Sequence, residues 1–236
     1  MSYLNTKPLV YGFEKGLMKE QIELVFDYPA KIAAMLLNDE IDIGLIPVAA
    51  LPKLKEHHIV SNYCIGASQP VASVCLFSEV PLNEIKEILV DYQSRTSAAL
   101  LKILLKHHWK TDPVLTDTSN GYQEHIKGTT AGLVIGDRAL TQRKHSVYIY
   151  DLAEAWQEMT GLPFVFAAWI SNKKLPADFK HAFNTATGLG LEHIEEIVAT
   201  VNFADYDMTT YYTKNIDYRI DDKKLQAVRL FLSYLA

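Results

Sequence analysis

Two periodicities alternate through the first fifty residues, and that alternation limits the fold more than any single motif. Residues 9–17 carry apolar side chains with Gly12 and Gly16, fitting a short helix that closes at Gly16. Residues 23–28, Glu-Leu-Val-Phe-Asp-Tyr, have strand composition and stop at Pro29. Residues 30–38 set Ile32, Ala33, Leu36 and Leu37 at helical spacing, and 42–48 read as a short buried strand. Helix, strand, helix, strand implies an α/β layer architecture.

The pattern continues downstream. Residues 60–78 are mostly strand-like, and 88–91 form another short strand. Ser94-Arg95-Thr96-Ser97 then opens a helix over 98–109. A polar loop, a short helix at 123–127 and a strand at 131–135 lead to a Gly136-Asp137 turn. Residues 147–152 and a helix at 153–159 precede a buried strand at 164–170. From 178 the chain reads as helices, with Ile194, Ile197, Val198 and Val201, then Leu225, Val228, Leu232 and Leu235, at apolar spacing. This tail has no strand of its own and must pack on an earlier part of the chain. Two discontinuous lobes are expected, 1–76 with 168–236, and 77–167; the second, of about 90 residues, is near the lower end of ordinary domain sizes.

At 236 residues, 49% hydrophobic and 22% charged, the composition is that of a globular protein. A net charge of -5 argues against nucleic acid or an acidic membrane surface as partner. The two cysteines, Cys64 and Cys75, give neither a disulfide framework nor metal-type spacing. No basic-then-apolar leader follows Met1, and no window reaches the ~20 apolar residues of a membrane helix. A cytoplasmic protein is expected.

Several chemistries lack their residues. The pairs His57-His58 and His107-His108 point about 100° apart on a helix, and no His-Glu-x-x-His or Cys pair accompanies them, so no metal is expected. There is no Gly-x-Gly-x-x-Gly or Walker loop for a nucleotide and no Gly-x-Ser-x-Gly elbow, and no cofactor is expected. What remains is polar and uncharged. Ser-Tyr-Leu-Asn-Thr-Lys-Pro at 2–8 reads as a strand end turning into a helix, the edge that faces the crevice in α/β folds, or as an ordinary helix cap. Ser73, in Val-Ala-Ser-Val-Cys, faces either a cleft or its own sheet. Ser94–Ser97 is an anion site at a helix start or a cap beside a solvated Arg95.

Five blocks then fall into one order: Ser-Tyr-Leu-Asn-Thr-Lys-Pro-Leu at 2–9, Asp-Ile-Gly-Leu-Ile-Pro at 42–47, Ser-Arg-Thr-Ser at 94–97, Val-Ile-Gly-Asp-Arg-Ala-Leu at 134–140 and Thr-Gly-Leu-Pro-Phe-Val-Phe-Ala-Ala-Trp at 160–169. Together they resemble the chorismate dehydratase family of the futalosine route to menaquinone, over most of residues 2–170. The resemblance implies a two-lobed type II periplasmic-binding-protein-like fold, with mixed sheets flanked by helices and a ligand cleft between lobes. It implies loss of water from chorismate to give 3-[(1-carboxyvinyl)oxy]benzoate, without cofactor. The alternatives are a solute-binding protein for a small carboxylate, or the related lyase acting on cyclic dehypoxanthine futalosine. The family's asparagine falls on Asn5 and its active-site serine on Ser73. Its carboxylate site falls on Ser94, Arg95, Thr96 and Ser97, and Tyr3, Pro47, Gly136, Asp137, Pro163 and Phe164 are the other expected substrate contacts. Oligomeric state, a homodimer included, stays open. Family members carry several strand residues ahead of Ser-Tyr-Leu-Asn. With Met1 so close to that motif, an unpaired strand edge is expected in the first lobe.

Overall fold

The computed structural model describes residues 3–236. Residues Leu4–Thr6 make a 3-10 turn that runs into helix α1 (Lys7–Glu14), with Pro8 in its first turn, where a missing N–H costs nothing. Then come α2 (Pro29–Leu37), β1 (Ile43–Pro47), β2 (His58–Ala67), β3 (Val74–Ser78), β4 (Glu87–Val90) and α3 (Arg95–Leu104). β5 (Val114–Asp117), β6 (Thr130–Ile135), α4 (Asp137–Gln142), β7 (Tyr148–Asp151) and α5 (Leu152–Thr160) follow. The chain ends with β8 (Phe164–Ser171), α6 (Ala177–Glu192), α7 (Ile194–Thr200), the single turn α8 (Met208–Thr210), β9 (Asp217–Arg219) and α9 (Asp222–Ser233).

Strand pairing divides these elements between two sheets. An antiparallel sheet has the order β1-β8-β2-β9, and a mixed sheet has the order β5-β4-β6-β3-β7. The chain passes from the first sheet to the second between β2 and β3 and returns just before β8. The switches therefore lie at 68–73 and 161–163, a few residues earlier than the boundaries expected after 76 and 167. Helices cover both sheets. α1 and α6 lie backbone to backbone: a Cβ on Gly12 would stand 2.1 Å from the Ala186 carbonyl oxygen.

Four local expectations fail, each for a readable reason. Residues 23–28 form no strand. They run extended beside the free edge of β1 but pair with nothing, and an apolar groove of about 630 Å³ separates the two. Leu24, Val25, Phe26 and Tyr28 consequently remain 38–48% exposed. β5 lies where a polar loop is expected, because as an edge strand it leaves Val114 65% exposed. The tail does contain a strand, β9, only three residues long and closing the free side of β2. Gly136-Asp137 is also more than a turn, since Asp137 begins α4.

Candidate active site

The two ends of the β2–β3 crossover set the position of Ser73. Ala72, just before it, has φ of 63°, a conformation rarely held without support. That support comes from Asp151, a buried carboxylate at the start of α5 that accepts the Ala72 N–H at 2.7 Å. The same carboxylate caps α5 through the Ala153 and Glu154 N–H groups at 3.0 and 3.3 Å. Burial pushes its pKa up, and these backbone donors pull against that shift. Ser73 has its own backbone satisfied: its N–H reaches Val71 and its carbonyl accepts the Gly136 N–H, each at 2.8 Å.

A second anchor joins the amino-terminal motif to the mixed sheet. The Tyr3 ring lies against Gly136, where a Cβ would meet it at 2.4 Å. Gly136 also has φ of 64°, so a side chain is excluded twice. The Leu4 N–H donates to Asp137 Oδ1 at 3.0 Å, and the Tyr3 hydroxyl donates to Gln93. Burial, reinforced by the nearby Asp91 charge, pushes the Tyr3 phenol up to about 12. Behind it, buried Asp91 takes Arg138 Nη2 and the Tyr122 hydroxyl, both at 2.7 Å. These contacts hold Asn5 at the cleft. Its backbone carbonyl accepts the Tyr218 hydroxyl at 3.0 Å, while its side-chain Oδ1 is buried without a partner. An orphaned buried acceptor costs about 1–3 kcal/mol.

Asn5 and Ser73 line one cavity of about 70 Å³ between the two sheets. Ser94, Ser97, Tyr3 and Gly136 are on its wall, as is Pro47, which faces Ala167 across the β1–β8 pairing. Seven of the twelve expected residues thus meet here. The larger groove beside β1 shares Tyr3, Thr6, Pro29 and Leu45 with this cavity but contains neither Asn5 nor any of the three serines, and its walls are mainly apolar. The expected polar residues therefore gather on the smaller space.

The other five expected residues lie elsewhere. Arg95 is exposed on α3 and lines no part of the cavity. Thr96 is fully buried, its hydroxyl occupied in accepting the Ala49 N–H at 3.1 Å, a tie between α3 and the loop after β1. Asp137 serves the Leu4 amide beside the cavity rather than on its wall. Pro163 accepts the Trp156 indole N–H at 3.1 Å, and Phe164 packs edge-on to Trp156 and Phe231 in the core. The pairing explains this miss. The cavity sits at the level of Ala167, which faces Pro47 and Ile65, whereas Phe164 lies three residues away opposite Ala67. Phe166 and Ala167 form the apolar wall instead.

At the head of α3, the Ser94 hydroxyl accepts the Ser97 N–H at 3.1 Å and lies 2.8 Å from the Ser97 hydroxyl. Both the cap and the cleft readings hold for Ser94. Two contributors were missed. Thr6, inside the recognised motif, lines the cavity. Tyr211 stands behind it, fully buried, its hydroxyl donating to Ser73 Oγ at 2.8 Å. Its segment lies beyond residue 170, where no motif flagged it.

Two lobes closing on a small cleft lined by amide and hydroxyl groups define a periplasmic-binding-protein-like molecule. Solved structures agree on that fold. Protein AF1704 from Archaeoglobus fulgidus is 15% identical and superposes with a TM-score of 0.72, covering 98% of this chain and 93% of its own. The periplasmic aliphatic sulphonate binding protein SsuA from Escherichia coli is 14% identical with a TM-score of 0.61, covering 98% of this chain and 84% of its own. The chain belongs to the menaquinone biosynthesis family, whose model matches residues 1–236. A chorismate dehydratase from Thermus thermophilus is 26% identical over 215 residues, which is 83% of this chain and 77% of that protein. Among the described residues, no helix is long and apolar enough to cross a membrane.

Proposed function

We propose that the protein is a cytoplasmic chorismate dehydratase that forms 3-[(1-carboxyvinyl)oxy]benzoate and water. The observation that carries this reading is the donor set of the cavity: amide and hydroxyl groups from the amino-terminal turn, the β2–β3 crossover and the head of α3, with no Asp, Glu, His, Lys or Arg on the wall among the described residues. Such a site suits a substrate that brings its own charges and gains its driving force from aromatisation. The kinship with the Thermus enzyme supports the same substrate.

In this reaction the ring C–H beside the enol ether breaks and its electron pair completes the aromatic ring. The neighbouring C–O bond breaks, and the hydroxyl departs with a proton as water. Asn and Ser are not bases at neutral pH, and the Tyr3 phenol is held protonated. The proton then passes to the substrate's own enolpyruvyl carboxylate or to a water. Ser94 and Ser97, at the positive end of α3, take one carboxylate. Asn5 and Ser73 flank the departing hydroxyl, with the orphaned Asn5 Oδ1 as an acceptor. Closure of the lobes strips water from the reacting centre.

The test is incubation of purified protein with chorismate, following the aromatic product by ultraviolet absorbance. Asn5→Ala and Ser73→Ala should each lower turnover about 10- to 100-fold, the value of one hydrogen bond of 1.5–3 kcal/mol to a charged or charging group. Ligand binding without product would mark a solute-binding protein. Consumption of cyclic dehypoxanthine futalosine in place of chorismate would mark the related lyase. Either result would falsify the assignment.

A further inference from the structure

Tyr211 is a fully buried hydroxyl donor that touches a cavity side chain and has no part in the reaction above. It opens a π-helical turn, Tyr211–Asn215, an irregularity that concentrates at functional sites. The turn is strapped to the β2–β3 crossover at two points: Asn215 Nδ2 donates to the Pro70 carbonyl at 2.9 Å, and the Tyr211 hydroxyl donates to Ser73 Oγ at 2.8 Å. Tyr206, edge-on to the Tyr211 ring at 6.2 Å, donates to Asn215 Oδ1 at 3.1 Å and braces the turn from the other side. The crossover needs no further help to fold, since Asp151 and Gly136 already satisfy the backbone on either side of Ser73. The phenol contact is therefore spent on the serine hydroxyl itself.

The direction of that bond matters. A phenol is the more acidic hydroxyl and the better donor, while an aliphatic hydroxyl is the better acceptor. Burial keeps Tyr211 protonated, pushing its pKa well above the usual phenol value. With Tyr211 donating, Ser73 Oγ has its own proton free. The Asn5 side chain, also beside the Tyr211 phenol, presents an unpartnered acceptor on the same cavity.

We propose that Tyr211 is a positioning residue that fills an acceptor site of Ser73 Oγ and so directs the serine proton into the cavity, making Ser73 a hydrogen-bond donor to the substrate. This rests on the dehydratase reading only for its kinetic consequence. Tyr211→Phe keeps the ring and removes the donor. It should lower kcat about 10-fold, the worth of roughly one hydrogen bond, with KM changed less than 2-fold. The double variant Tyr211→Phe/Ser73→Ala should be no slower than Ser73→Ala alone, because the one hydrogen bond that the phenol donates goes to the serine. Effects that multiply in the double variant, or a Tyr211→Phe enzyme at full kcat, overturn the proposal. A crystal structure of Tyr211→Phe gives a readout that needs no activity. Ser73 should leave its original rotamer or divide between two, and an unchanged Ser73 rotamer overturns the proposal whatever the substrate proves to be. A wild-type protein inert toward chorismate would instead count against the dehydratase reading, leaving the rotamer result to decide this one.

Discussion

Val74-Cys75-Leu76-Phe77 and Leu24-Val25-Phe26 are nearly alike in composition, yet one is an interior strand of a sheet and the other no strand at all. β3 lies between β6 and β7, and Phe77 is wholly buried. Residues 24–26 lie beside a groove, with no ladder partner and 38–46% of their surface exposed. β-Propensity measures how well a side chain fits a pleated, half-covered surface, so it yields a strand only where neighbours supply that surface. The contrast teaches that a strand belongs to a pairing, and that local composition proposes but does not complete it.

The sharpest way to break this comparison is to truncate one aromatic on each side. Phe77→Ala should cost about 3–5 kcal/mol, the usual penalty for emptying a packed aromatic site. Phe26→Ala should stay within about 0.5 kcal/mol, as a surface change does. Chemical denaturation of both variants decides it, and equal losses would show that the groove is filled in solution.

The opposite side of the first sheet offers a second measure. There β9 is closed by Lys224, 1% exposed, whose ammonium reaches Asp217 Oδ2 at 2.5 Å. Burial raises the Asp217 pKa, but hydrogen bonds from Lys224 and Ser68 outweigh it, and the net shift is downward. A depressed carboxylate adds stability above its unfolded pKa and loses it as pH falls through the folded one. Asp217→Asn leaves a buried ammonium unpaired and should cost about 3 kcal/mol at neutral pH, near the low end for a broken buried pair because Asp217 keeps some contact with water. It should also flatten the acid limb of the stability curve below pH ~4. Thermal melts of wild type and variant from pH 3 to 7 test both effects.

The smallest effect is expected in the groove. Val25→Lys should leave the melting temperature nearly unchanged, within about 0.5 kcal/mol. It should suppress concentration-dependent self-association, because a charge beside an unpaired edge blocks strand-to-strand addition. Light scattering across a dilution series reads this directly.

Much of the architecture could be read from the sequence, where apolar periodicity and tertiary pairing agree. The helices at 7–14 and 29–37, the strand at 43–47 and the buried run at 164–171 were all visible this way. The edge strands β5 and β9 were not, since short half-exposed strands carry little apolar signal. At the site, the opening motif and the serines were legible because polar residues clustered at element ends. Arg95 and Thr96 misled because a helix start shows which residues are there but not which way each one faces. Tyr211 was hidden for another reason: it is one of thirteen tyrosines, and only folding brings it against a residue 138 positions away.

Ser73 immediately follows the linker that joins the halves, whereas Asn5 is held from the opposite direction by Tyr218. Leu4, the residue before Asn5, is bonded to Asp137 of the other half, so the amide is tethered on both banks of the cleft while the serine stands where the chain crosses from one to the other. A parting of the halves would have to strain one of those two tethers, which makes the seat of the amide the natural gauge of any hinge movement.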